Sequence, residues 1–249
     1  MNSIIISFII TSLAGFTTLL GVAPIFFNRR KQNIIIPLSL SFSAGVMLCI
    51  SLVSLIPEAT SLIRTKYLMI PTILFTGIFV VSGILFSSFI DKKIEEKISS
   101  NILYRVGIIS VIALIFHNIP EGITTFLSTH QDLSLGITLA IGIALHNIPE
   151  GISIAVPIYY ATNNKRKAIL LTFISGFSEL LGAVVAYLFL APIITSFGLG
   201  AILAIAAGIM IHISVYELIP TAFQYPIYFR LCFSFFLGFL LMFFCQVII

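Results

Sequence analysis

The hexapeptide HNIPEG occurs twice, at residues 117–122 and 146–151, and each time it sets a histidine, an asparagine and a glutamate into otherwise apolar sequence. On a helix, His117 and Glu121 stand at i and i+4, and Asn118 and Glu121 at i and i+3, so all three share one face. His146, Asn147 and Glu150 repeat the pattern. Imidazole nitrogen together with carboxylate oxygen suits zinc, iron(II), manganese and related borderline divalent cations, whereas all-oxygen sets suit magnesium or calcium. The asparagine oxygens are weak neutral ligands, so an ion held here can also leave. Pro120 and Pro149 have no amide hydrogen, which frees the carbonyls of Phe116 and Leu145 and kinks both helices beside the ligands. Glu179, in FSELLG, is a third carboxylate in apolar surroundings and can complete the shell. Polar residues that only fastened helices together would need no duplicated ionisable set.

Histidine, glutamate and a kinked helix also describe catalytic zinc, so an intramembrane metal-dependent hydrolase is the alternative reading. A zincin, however, needs HExxH, with two histidines at i and i+4 and a glutamate as base. HNIPEG puts glutamate in the second ligand position and leaves no base. Cys49, Cys232 and Cys245 lie in apolar stretches without paired spacing, so neither disulfides nor a CxxC metal knuckle are expected.

The elements that position these residues follow from composition. Of 249 residues, 59% are hydrophobic and 9% charged, with a mean hydropathy of +1.17; soluble, disordered and nucleic-acid-binding classes are excluded. Apolar runs cover residues 3–27, 34–56, 67–90, 106–126, 133–161, 168–190, 198–219 and 231–249. At about 20 residues per span, these are eight transmembrane helices. The breaks at 28–31, 64–66, 91–105, 130–132, 162–167 and 224–230 hold nearly all the charge, and the charge run 91–97 reads as a solvated cytoplasmic loop. All but Arg64 and Lys66 of the 13 basic residues follow the first, third, fifth or seventh run. The basic side faces the cytoplasm, so both termini lie outside. No basic residue precedes the first run, which is therefore a retained helix and not a secretory signal. The Phe-rich last run reads as lipid-facing bulk.

Internal repeats set the architecture. AGVMLCISLVSLIPEA at 44–59 matches AGIMIHISVYELIPTA at 207–222, and GFTTLLG at 15–21 matches GFSELLG at 176–182. Each pair is offset by five helices, so its members run in opposite directions. The expected fold is all-α: one transmembrane domain over 1–249, with helices 1–3 and 6–8 as inverted repeats around a central kinked pair, 4 and 5, in a 3+2+3 arrangement. Inverted repeats around a central site recur in secondary transporters. Glu58 after Pro57, Glu217 before Pro220, and His212, which replaces Cys49 in the repeat, are candidate pathway residues.

The paired HNxPEG motifs on adjacent central helices, the eight helices and the outward termini resemble the ZIP (Zrt/Irt-like protein) metal transporters, closest to the bacterial ZupT/GufA-like branch, across essentially the whole chain. The resemblance implies uptake of zinc, or of iron(II), manganese, cobalt or cadmium, into the cytoplasm through a binuclear centre. One metal would take His117, Glu121, His146 and Glu150. The second would take Asn118, Glu121, Asn147, Glu150 and Glu179, with Glu121 and Glu150 bridging. Many relatives carry a His-rich segment between helices 3 and 4; residues 91–105 here have no histidine. The metal is cargo and no cofactor is expected. The partners are the divalent ion and the lipid bilayer of the plasma membrane, with a homodimer as the candidate assembly and no nucleic acid.

Overall fold

Backbone amides and carbonyls inside hydrocarbon must be paired within their own segment, and a chain of long apolar runs does this by becoming helical. The computed structural model describes residues 2–27, 31–97, 101–190 and 194–248, and these contain no strand. Eight helices among them are long and apolar enough to cross a membrane: α1 Ser3–Phe26, α2 Gln32–Arg64, α3 Met69–Glu95, α4 Ile102–Gln131, α5 Leu133–Thr162, α6 Lys165–Phe189, α7 Ser196–Ala222 and α8 Tyr228–Ile248. Arg29 and Arg30, part of the basic asymmetry, lie outside the described residues, as do 98–100.

The connections are short because polar caps stop and restart the helices. Asp132 alone joins α4 to α5; its carboxylate accepts from the amides of Ser134 (2.8 Å) and Leu135 (3.1 Å), satisfying donors that the first turn of α5 cannot pair. Between α5 and α6, Asn163 takes a left-handed φ of 53° and the Asn164 side chain caps Lys167 N at 3.0 Å.

One expectation about local structure needs correction. The charge run 91–97 is not simply a solvated loop: α3 continues through Glu95 and α4 resumes at Ile102. Helix can persist there because its charges find partners. Arg105 Nη1 contacts Glu95 Oε1 at 2.5 Å, and its Nη2 lies 3.9 Å from Glu217 Oε2 on α7. Helices α4 and α5 run on through Pro120 and Pro149. π-type turns occur in α2 at Ser51–Leu55, in α6 at Ala186–Leu190 and in α7 at Ile213–Leu218, and those of α2 and α7 lie just ahead of an Ile-Pro step. A widened turn accommodates the missing proline donor. In α1 the chain tightens to a 3-10 helix over Thr17–Phe26.

Helix α2 packs on α8 and α3 on α7, while α4 packs on α6 and α5 on the 3-10 part of α1. Small residues set these distances, as expected where lipid removes any hydrophobic drive between helices. A Cβ at Gly45 would strike the Phe235 carbonyl oxygen and one at Gly208 that of Val80; Gly122 faces the Glu179 carbonyl and Gly151 that of Thr18. Large apolar side chains on α3 and α8, among them Leu85, Phe89, Phe233 and Phe236, point outward and are more than half exposed, a surface suited to hydrocarbon and not to water.

Candidate metal centre

The one-residue link at Asp132 turns α5 back beside α4 and brings the two HNIPEG motifs together. His117 Nε2 lies 3.0 Å from Glu121 Oε1, which is 2.9 Å from His146 Nε2. These three buried residues offer nitrogen and oxygen atoms all within 4.8 Å of one another. Glu150 joins from α5, its Oε1 3.5 Å from His117 Nε2. His117, Asn118, Asn147, Glu150 and Glu179 are fully buried, and Glu121 and His146 nearly so.

The asparagines are oriented by backbone contacts outside the motif. Asn118 Nδ2 donates to the Ser175 carbonyl at 3.1 Å, and Asn147 Nδ2 to the Ala14 carbonyl at 3.0 Å and also to Glu179 Oε1. With the amide nitrogens spent on neighbours, the Oδ1 atoms of both residues have no hydrogen-bond partner. The same holds for Glu121 Oε2, both Glu150 oxygens and Glu179 Oε2. So many buried acceptors without donors would be costly in a structural core. A cation would satisfy them. Glu179 lies outside the tight trio and reaches the cluster through Asn147.

A cavity of about 340 Å³ leads to Glu121 and His146, and Glu58 and Ser54 stand in its wall. Helix α8 also contributes: Met242, Gln246 and Val247 line this space, which corrects the reading of the last run as wholly lipid-facing. The lone amide in that run was the available signal. Its Oε1 is buried without a partner. The other two pathway candidates stand apart from the trio. His212 shares a 2.9 Å hydrogen bond with Ser87 through Nδ1 and stacks on Tyr216. Glu217 is buried beside Arg105 and Asp91.

The family model described as ZIP zinc transporter matches residues 93–246. The chain belongs to the ZIP family. It is 39% identical over 232 residues to the zinc transporter ZupT of Streptococcus mutans, covering 88% of each chain. It is 40% identical over 242 residues to ZupT of Lysinibacillus sphaericus, covering 90% of each, and 37% identical over 255 residues to ZupT of Clostridium perfringens, covering 90% of this chain and 89% of that one. These place it in the bacterial ZupT branch. ZIP proteins are transporters, so this ZIP member is a multi-pass membrane protein that moves metal ions, and the hydrolase alternative falls. The transported ion is cargo, and the buried His117, Glu121 and His146 offer it a site.

Proposed function

We propose that this ZIP protein carries zinc, and with it other borderline divalent ions, into the cytoplasm through a binuclear centre. The observation that carries the reading is the meeting of the buried trio with Glu150, and the unpartnered buried oxygens of Asn118, Asn147 and Glu179 support a second ion. Four donors, His117, Glu121, His146 and Glu150, suit one ion in tetrahedral coordination. The amide oxygens with Glu179, and with Glu121 and Glu150 bridging, give a second, harder and looser shell. Zinc as cargo is supported by the ZupT relatives and by the mixed nitrogen and oxygen donors. Uptake, with outward termini, is supported by the clustering of basic residues on one side.

The same proposal treats residues 1–249 as one domain built by inverted repetition around α4 and α5. Its support is the pairing of helices: exchanging α2 with α7 and α8 with α3 turns the α2–α8 contact into α7–α3, and exchanging α1 with α6 and α5 with α4 turns α1–α5 into α6–α4. The test is zinc uptake into proteoliposomes together with metal counting on the purified protein. Two zinc ions per chain, falling to one or fewer in Glu179→Ala, are expected. A single ion per chain that Glu179→Ala leaves unchanged would refute the binuclear reading.

A further inference from the structure

The cavity that reaches Glu121 and His146 opens at one end of the bundle, where α2, α4 and α8 finish and α5 begins. Close approaches between helices supply a register for comparing that end with the other. Gly45 meets the Phe235 carbonyl where Gly208 meets that of Val80, and Gly238 meets that of Phe42 where Gly83 meets that of Ile205. Gly151 meets the Thr18 carbonyl where Gly122 meets that of Glu179, and Asn147 donates to Ala14 where Asn118 donates to Ser175. Every pair interchanges under one two-fold exchange of the repeats. The register carries the cavity-lining Ser54 onto Glu217, Glu58 onto Thr221, Thr124 onto Ser153, Leu139 onto Ser110 and Gln246 onto Asp91.

These images cluster at the opposite end, and there the helices are shut. Ser110, Ser153, Glu217 and Thr221 are between 0% and 4% exposed. Their polar groups are held against one another and not against water: Glu217 lies beside both Asp91 and Arg105, while Ser110 Oγ is buried without a hydrogen-bond partner. An orphan such as Ser110 Oγ costs roughly 1–3 kcal/mol in a dry seam, a cost that disappears if the seam is wetted in another conformation. Spanning the closed end is Arg105 of α4, with Glu95 of α3 at 2.5 Å and Glu217 of α7 at 3.9 Å.

We propose that the exit of this transporter is the two-fold image of the outer cavity, a vestibule lined by Asp91, Ser110, Ser153 and Glu217 that the Arg105 ion pairs hold shut in the conformation seen here. It rests on the transport and inverted-repeat readings above. When α4 moves relative to α3 and α7, the guanidinium leaves Glu217, the seam fills with water, and the freed carboxylates of Asp91 and Glu217 face a departing divalent cation. Arg105 thus holds, as a tethered cation, the place through which the cargo leaves. A guanidinium suits this because it stays charged and can engage two carboxylates at once.

The test uses the full chain in proteoliposomes, with its three cysteines replaced and one new cysteine at a time. Leu139→Cys and Ser110→Cys, two-fold mates, are treated with a charged, impermeant methanethiosulfonate from each side. Labelling from opposite sides is expected, with Arg105→Gln raising the Ser110→Cys rate about tenfold and lowering that of Leu139→Cys. Labelling of both from the same side overturns the proposal, as does a Ser110→Cys rate that Arg105→Gln leaves unchanged. Because Arg105→Gln can also disturb folding, Asp91→Asn and Glu217→Gln are read separately in the otherwise native chain. Zinc uptake should fall several-fold with zinc bound per chain unchanged. Undiminished uptake, or loss of bound zinc, overturns the vestibule. Absence of zinc uptake by the parent protein would instead count against the transport reading, while the labelling arms still report on the exit.

Discussion

Replacing Gly122 with alanine adds one methyl group at the tightest point between α4 and α6. Built on the present backbone, that methyl collides with the Glu179 carbonyl oxygen and sits 2.7 Å from its carbonyl carbon and 2.9 Å from its Cα. The obstacle is main chain, so no side-chain rotation relieves it, and the helices must part by roughly 1 Å. Overpacking of this kind costs about 1–3 kcal/mol, and the rigid neighbour places it toward the upper end. Alanine's better helix propensity returns about 1 kcal/mol, leaving a net loss of about 2 kcal/mol. For a chain of this length that corresponds to roughly 4–8 °C in melting temperature. The displaced residue, Glu179, is the one that Asn147 holds against the centre. Zinc uptake should therefore fall further than stability alone explains. Gly77→Ala is the control, since a Cβ there meets nothing within 4 Å. Thermal unfolding in detergent and uptake by the same preparations decide the matter: if Gly122→Ala melts and transports like Gly77→Ala, the close-packing argument is wrong.

Glu121→Ala should abolish zinc uptake at normal expression, because Glu121 is within 3.0 Å of both His117 and His146, whereas Lys97→Ala, exposed in the turn after α3, should transport normally in the same assay. Asn147→Ala removes the donor to both Ala14 and Glu179 and should weaken zinc binding about tenfold or more by titration calorimetry; an unchanged affinity would remove Asn147 from the site. Arg166→Cys in a cysteine-free chain should react with impermeant maleimide only after the cytoplasmic side is exposed, and labelling of intact cells would reverse the orientation.

What the sequence by itself determined is what depends on residue type and local period. The doubled HNIPEG gave the donor chemistry, and helical spacing placed each histidine, asparagine and glutamate on one face, because an i, i+4 relation needs no tertiary information. Eight apolar runs gave eight helices for the same reason: within a bilayer, length and hydropathy leave the backbone no other choice. The tertiary structure decided everything that depends on which helix lies against which. The side-chain amides of Asn118 and Asn147 are held by the carbonyls of Ser175 and Ala14, distant in sequence, which leaves their oxygens without a hydrogen-bond partner. Gln246, with Met242 and Val247, became part of the cavity wall through the packing of α8 on α2. Asp91 and Arg105, legible only as charges between apolar runs, joined Glu217 across three helices. Such contacts are set by backbone approach at glycines such as Gly122 and Gly208, and whether a glycine marks a contact or only open space, as at Gly77, is a property of its neighbours that the sequence does not carry.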